Sequence, residues 1–235
     1  MSDDAPNPTP DDLTAQIGSV ARTVDVRTVD GALQDEVVLA QSFAADLDTV
    51  WQAVSRTDRI TQWFLPVTGE LVDGGRYAVE GNASGTVLDC RAPHRFEVTW
   101  EFAGEVTWVT VELAREGEDG PLEVGPADPP VVGDAGTRLT LVHRLPRAPQ
   151  WESFGPAAVG IGWDSALLGL ARHLAAGSTG GRLAPEWVQS TGGLDFLEAS
   201  GRAWGHAHAA SGVADDVAHA AAGRTVAAYT GRPVE

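Results

Sequence analysis

Between residues 95 and 102 the chain alternates strictly. Phe96, Val98, Trp100 and Phe102 are apolar, and Arg95, Glu97, Thr99 and Glu101 between them are polar. A period of two builds a strand with one buried face. Val109, Val111 and Leu113 repeat the pattern, and Leu139, Leu141 and His143 share one face of a last strand over 137–144. Asp73-Gly74-Gly75, Gly81-Asn82, Pro93-His94 and Ala103-Gly104 supply turn chemistry across 69–113, which predicts a meander of short antiparallel strands. Upstream, a β-branched stretch carrying Val20, Val24, Val26 and Val29 ends at Asp30-Gly31, a dipeptide suited to the positive φ of a tight hairpin turn. A returning strand over 36–43 completes that pair.

Elsewhere the period changes to that of a helix. Leu47, Val50, Trp51 and Val54 fall on one helical face with Asp46 placed as N-cap, and a second short helix over 57–64 carries Ile60, Trp63 and Phe64 before Pro66 stops it. Phe154, Ala158, Ile161, Leu167, Leu168, Ala171 and Leu174 predict one long helix over 151–176, closed by Gly177. A Gly/Ser/Thr linker over 177–182 leads to two further helical segments, 191–210 and 213–229. Leu194, Phe196, Leu197 and Trp204 in the first, and Val213, Val217, Val226 and Tyr229 in the second, have packing spacings. The Gly-, Pro- and acid-rich stretch 116–135 reads as an exposed loop, and the acidic, Pro-rich residues 1–12 as a disordered leader.

Composition narrows the function classes. The 235 residues carry a net charge of −17, and all 16 basic residues are Arg. So acidic a surface repels phosphate backbones and anionic membranes, and the Arg residues do not cluster, so neither nucleic acid nor membrane is an expected partner. Cys90 stands alone, which excludes an intramolecular disulfide and a multi-cysteine zinc site. The apolar run from Leu167 to Ala176 is interrupted by Arg172 and His173, and the opening residues lack the basic and apolar regions of a secretory signal. A cytoplasmic location is expected.

The order of hairpin, two short helices, meander, final strand and long helix is an α+β arrangement in which a curved antiparallel β-sheet grips one helix. Local motifs accompany it: Ala45-Asp46 with Val50-Trp51, Ile60 with Gln62-Trp63-Phe64, Gly74-Gly75-Arg76-Tyr77, and Gly85-Thr86-Val87 with Pro93. Thr99-Trp100-Glu101, Gly136-Thr137-Arg138-Leu139-Thr140-Leu141 and Gly162-Trp163 complete the set. Together, over about 36–176, they resemble the SRPBCC or START-like superfamily, in the bacterial branch related to the activator of the heat-shock chaperone ATPase. The resemblance implies a helix-grip fold with a cavity between sheet and long helix, often apolar and often used for a small ligand. It implies no shared reaction, because the superfamily includes ligand carriers, polyketide cyclases, hydroxylase subunits and chaperone cofactors. The expected organisation is a leader (1–12), a helix-grip domain (13–177) and a C-terminal helical extension, an appended hairpin packed on that domain (183–231).

On such a fold Trp63, Phe64, Trp100, Phe102, His143, Trp163 and Leu167 would point toward one interior. They are the candidate ligand-binding residues, with core filling the alternative for each. His143 could hydrogen-bond a ligand, serve as a general base or be a satisfied core histidine, and no carboxylate is identifiable as its orienting partner. No residue is assigned a catalytic role. Trp108 lies out of phase with Val109 and Val111, so it would be exposed and could mark a homodimer surface. His206 and His208 point apart on a helix, and the pair Asp215 and His219 suits a solvated face, so neither metal nor cofactor is expected. Gly160-Ile161-Gly162 sits in a helical pattern rather than after a strand, which argues against a dinucleotide loop, and no nucleophile elbow or phosphate loop occurs. The leading reading is a binding protein for a small apolar or amphipathic ligand. The alternatives are a polyketide cyclase or aromatase-like enzyme, and a chaperone-cofactor-like or homodimeric interaction protein.

Overall fold

The computed structural model describes residues 7–117, 136–176 and 181–231. Thr9 caps the first helix, α1 (Pro10–Ser19): its side chain accepts from the Asp12 backbone N–H while the Asp12 carboxylate accepts from that of Thr9. Pro10, Asp11 and Asp12, read as the end of a disordered leader, therefore form a helical first turn. β1 (Ala21–Val29) and β2 (Ala32–Phe43) follow, joined by Asp30 (φ 51°) and Gly31 (φ 81°), the two-residue turn whose twist suits a hairpin. Asp46 caps α2 (Leu47–Ser55) by accepting from the Thr49 N–H at 2.9 Å. α3 (Thr57–Ile60) leads into the meander of β3 (Val67–Gly69), β4 (Arg76–Val79), β5 (Ser84–Arg91), β6 (Arg95–Phe102) and β7 (Glu105–Arg115).

β8 (Thr137–Pro146) completes an eight-stranded antiparallel sheet of order β1-β2-β8-β7-β6-β5-β4-β3. The first hairpin thus docks beside the last strand, with Val37 opposite His143 and Leu39 opposite Leu141. Residues 118–135, most of the expected loop, lie outside the described residues, as do Gly177 and the linker residues up to 180. The outward face of β5 to β8 carries a charge ladder in which Arg95 meets Asp89, Glu97 and Glu112, and Arg144 meets Glu97.

The single long helix predicted over 151–176 is two helices, α4 (Pro149–Phe154) and α5 (Ala157–Ala176). Gly155, at φ 60° and ψ −165°, adopts a backbone open mainly to glycine, and Pro156 disfavours helical geometry in the residue before it. α6 (Pro185–Val188), which periodicity did not reveal, then buries Trp187. α7 (Thr191–Ala210) and α8 (Asp215–Thr230) form an antiparallel pair.

α5 buries residues around its whole circumference because it lies between the sheet and α7. Ile161, Leu167 and Leu170 join the sheet's core, while Leu168 packs into a smaller cluster with Leu13, Trp187 and Phe196. Gly160 permits the close approach of α7, since a Cβ there would stand 2.2 Å from the Trp204 ring. Asp164, 1% exposed, receives both Nε (3.1 Å) and Nη2 (2.9 Å) of Arg22, with Ser200 Oγ and Trp204 Nε1 donating to its Oδ2. One carboxylate thereby joins β1, α5 and α7. Burial pushes this carboxyl above its ordinary range, against the opposing pull of Arg22, Ser200 and Trp204.

α8 closes the break before α5. Arg224 Nε and Thr225 Oγ1 each donate at 2.7 Å to the carbonyls of Ser153 and Phe154, and Tyr229 Oη donates at 3.0 Å to that of Ala158. The Ser153 and Phe154 carbonyls, left open at the end of α4, thus gain side-chain partners. Among the described residues, no helix is long and apolar enough to cross a membrane.

Candidate ligand site

Strand alternation aims Phe96, Val98 and Trp100 of β6, Val109 and Val111 of β7, and Leu139 and Leu141 of β8 toward α5. Trp163, Ala166, Leu167 and Leu170 answer from the helix. Trp63 and Phe64, just after α3, close one end, with the Trp63 indole fixed by a 2.9 Å bond to the Ala53 carbonyl. These side chains surround a hollow of about 100 Å³ lined by apolar and aromatic residues. Tyr77, the one hydroxyl-bearing neighbour among the described residues, spends that hydroxyl on the Thr99 carbonyl at 2.7 Å, and burial pushes the phenol above its ordinary range.

A second, outer hollow of about 230 Å³ adjoins the first. Phe64, Trp100 and Trp163 line both, so they form the partition between them. Phe64 and Trp163 stack with centroids 6.4 Å apart, and Trp100 meets Trp163 edge-on at 5.2 Å. Asn82, Phe102, His143, Val159 and Tyr229 contribute to the rest of the outer wall. Phe102 and Tyr229, 54% and 42% exposed, stand at its solvent side.

Of the residues expected at the site, Trp63, Phe64, Trp100, Trp163 and Leu167 surround the inner hollow, and Phe102 and His143 border only the outer one. Tyr229 and Asn82 were not anticipated. The first belongs to a helix far along the chain and the second to a turn, and neither shares a periodic face with the other lining residues.

His143 is 4% exposed and both of its ring nitrogens are engaged. Indole N–H is only a donor, so Trp163 Nε1 donates to His143 Nδ1 at 3.0 Å. Nε2 therefore carries the proton and donates to Thr107 Oγ1 at 2.8 Å, and Thr107 Oγ1 in turn donates to the Trp100 carbonyl at 3.2 Å. This chain of bonds fixes the His143 tautomer and ties the Trp163 indole to the sheet. Burial lowers the His143 pKa to about 4, so the imidazole is neutral across the physiological range. With its free lone pair already accepting from Trp163, His143 has none to offer as a general base. Among the described residues no carboxylate lines either hollow, and Glu101 instead accepts from Thr99 Oγ1 and pairs with Arg76.

Trp108 is half-buried rather than exposed. Cys90 is half-buried, and burial raises its thiol above the ordinary value.

Residues 44–124 match the family described as Activator of Hsp90 ATPase homolog 1-like protein. No curated protein matches the chain. The crystal structure of CalU16 from Micromonospora echinospora is 27% identical, with 80% of this chain and 98% of that one covered at a TM-score of 0.60. The solution NMR structure of CalU16 gives 27% identity, coverage of 82% and 96%, and a TM-score of 0.62. A crystal structure of DynU16, a protein in the dynemicin biosynthetic locus, is 25% identical over 61% of this chain and 48% of that one, with a TM-score of 0.49, too slight a likeness to argue from.

Proposed function

Because this chain belongs to the SRPBCC, START-like superfamily, in the branch of the Activator of Hsp90 ATPase homolog 1-like proteins, we propose that it binds a small apolar or amphipathic molecule between the sheet and α5. The observation that carries this reading is the pair of adjoining hollows that share Phe64, Trp100 and Trp163 as their partition. An apolar body would rest among Val98, Leu139 and Leu167, whose side chains offer no hydrogen bond, so that a hydroxyl placed against them would be left unpaired at a cost of roughly 1–3 kcal/mol. The polar end of an amphipathic ligand would remain near Asn82 and the mouth. For a ligand that occupies both hollows, the Trp163 and Phe64 rings must part, and they are the residues that set its permitted thickness.

The experiment titrates the full chain with N-phenylnaphthylamine, a neutral probe that fluoresces in apolar surroundings. Saturable enhancement with a raised melting temperature is expected, because binding to the native state alone stabilises it. Leu167→Trp fills the inner hollow and should remove the signal while costing about 1–3 kcal/mol of stability. A folded Leu167→Trp protein that binds the probe as well as the parent would exclude the inner hollow as the site.

A further inference from the structure

We infer that His206 and His219 form a chelating site for one late first-row divalent cation across the α7–α8 pair. The two residues lie thirteen positions apart in sequence, but the antiparallel helices bring His219 Nε2 to 3.3 Å from His206 Nδ1, with ring centroids 4.8 Å apart and planes at 78°. At zinc–imidazole bond lengths near ~2.05 Å, two nitrogens at this 3.3 Å separation subtend about 107° at a shared ion, close to tetrahedral. The separation thus suits either a hydrogen bond or two adjacent ligands of one metal.

The outer partner of one ligand is already in place. His219 Nδ1 lies 2.7 Å from the Asp215 carbonyl oxygen, which can only accept, so Nδ1 carries the proton. Nε2 is left as a bare lone pair directed at His206. A ring N–H donated to a backbone carbonyl is the usual support of a metal-bound histidine, because it fixes the tautomer and raises the basicity of the other nitrogen. In the unliganded pair His206 Nδ1–H donates to that lone pair. Loading requires only that this proton leave Nδ1 and that His206 adopt the tautomer protonated at Nε2, with no net proton released.

Both histidines are exposed, so water completes the coordination sphere. Among the described residues, no group of three or more His, Cys, Asp or Glu side chains forms a metal cluster. The pair accordingly suits ions with high affinity for imidazole, Cu²⁺, Ni²⁺ and Zn²⁺, rather than Ca²⁺ or Mg²⁺. The net charge of −17 favours the approach of any cation. The ion would tie α7 to α8 near the start of the helix that carries Tyr229 at its other end.

Isothermal titration of the full chain, free of tag histidines, with CuCl₂ and ZnCl₂ tests the site, and nitrogen NMR follows the imidazoles. One equivalent of saturable binding is expected, with perturbation of His206 Nδ1 and His219 Nε2 and a raised melting temperature. His206→Asn and His219→Asn should each weaken binding by about tenfold or more, as losses of metal-site groups do, while His94→Asn, at another exposed histidine, leaves it unchanged. Failure of the parent chain to bind either ion saturably, or undiminished binding in either pair variant, would overturn the inference.

Discussion

Trp163→Phe retains a smaller aromatic ring in the partition and removes the indole N–H that His143 Nδ1 accepts at 3.0 Å. Leaving that buried acceptor unpaired should cost about 1–3 kcal/mol, read by chemical denaturation. The cost should shrink in a background where His143 is already replaced by Leu, because the two residues are coupled through one bond. His143 also links stability to pH. Its folded pKa, about 4, lies below the ordinary 6.5, so the unfolded chain takes up the proton first as pH falls. The contribution is therefore complete above pH 6.5, is lost progressively toward pH 4 and is gone below it, with a ceiling of roughly 3 kcal/mol. The difference between parent and His143→Gln stability curves should fall in that window, and a flat difference would refute the linkage. The inward aim of His143 was legible from its phase with Leu139 and Leu141. Its partners were not, because Thr107 and Trp163 reach it from a neighbouring strand and a helix that only tertiary packing brings together.

Asp164 makes the C-terminal helices part of the domain's own core. Asp164→Ala would leave Arg22, whose side chain is 6% exposed, buried without its counter-charge, which typically costs about 3–5 kcal/mol. Hydrogen exchange should show the loss first as reduced protection in α7, since Ser200 and Trp204 lose the same acceptor. Wild-type exchange rates throughout α7 would argue against this role. The first hairpin, the meander from β4 to β7, the last strand, Asp46 as a cap and the helices α7 and α8 were readable from period and turn residues, whereas β3 was not. α1 was obscured by the acidic, Pro-rich composition around it, although Thr9 and Asp12 flanking Pro10 are a helix-start signal. The division of α4 from α5 was legible in principle at Gly155-Pro156, but the apolar spacing runs through the break and conceals it. Gly160 illustrates the opposite limit: its placement within a helix was evident, while its purpose, admitting the Trp204 ring, depends on a residue 44 positions away that no local pattern connects to it.

The succession of elements carried most of the information on the fold, because a hairpin that docks beside the last strand leaves few ways to cover the sheet with the remaining helix. The site was partly legible for the same reason, since residues in phase on β6 and β8 must face α5. The outer hollow was not, because Tyr229 reaches its rim only after α7 and α8 fold back over α4. The space under α5 is expected to accept a small apolar molecule. The most direct measurement is a set of intermolecular NOEs between N-phenylnaphthylamine and the methyl groups of the full chain. Contacts to Leu139 and Leu167 together with the Trp163 ring are expected. NOEs confined to exposed side chains such as Val26, Leu33 and Val217, with none to Leu167, would contradict it.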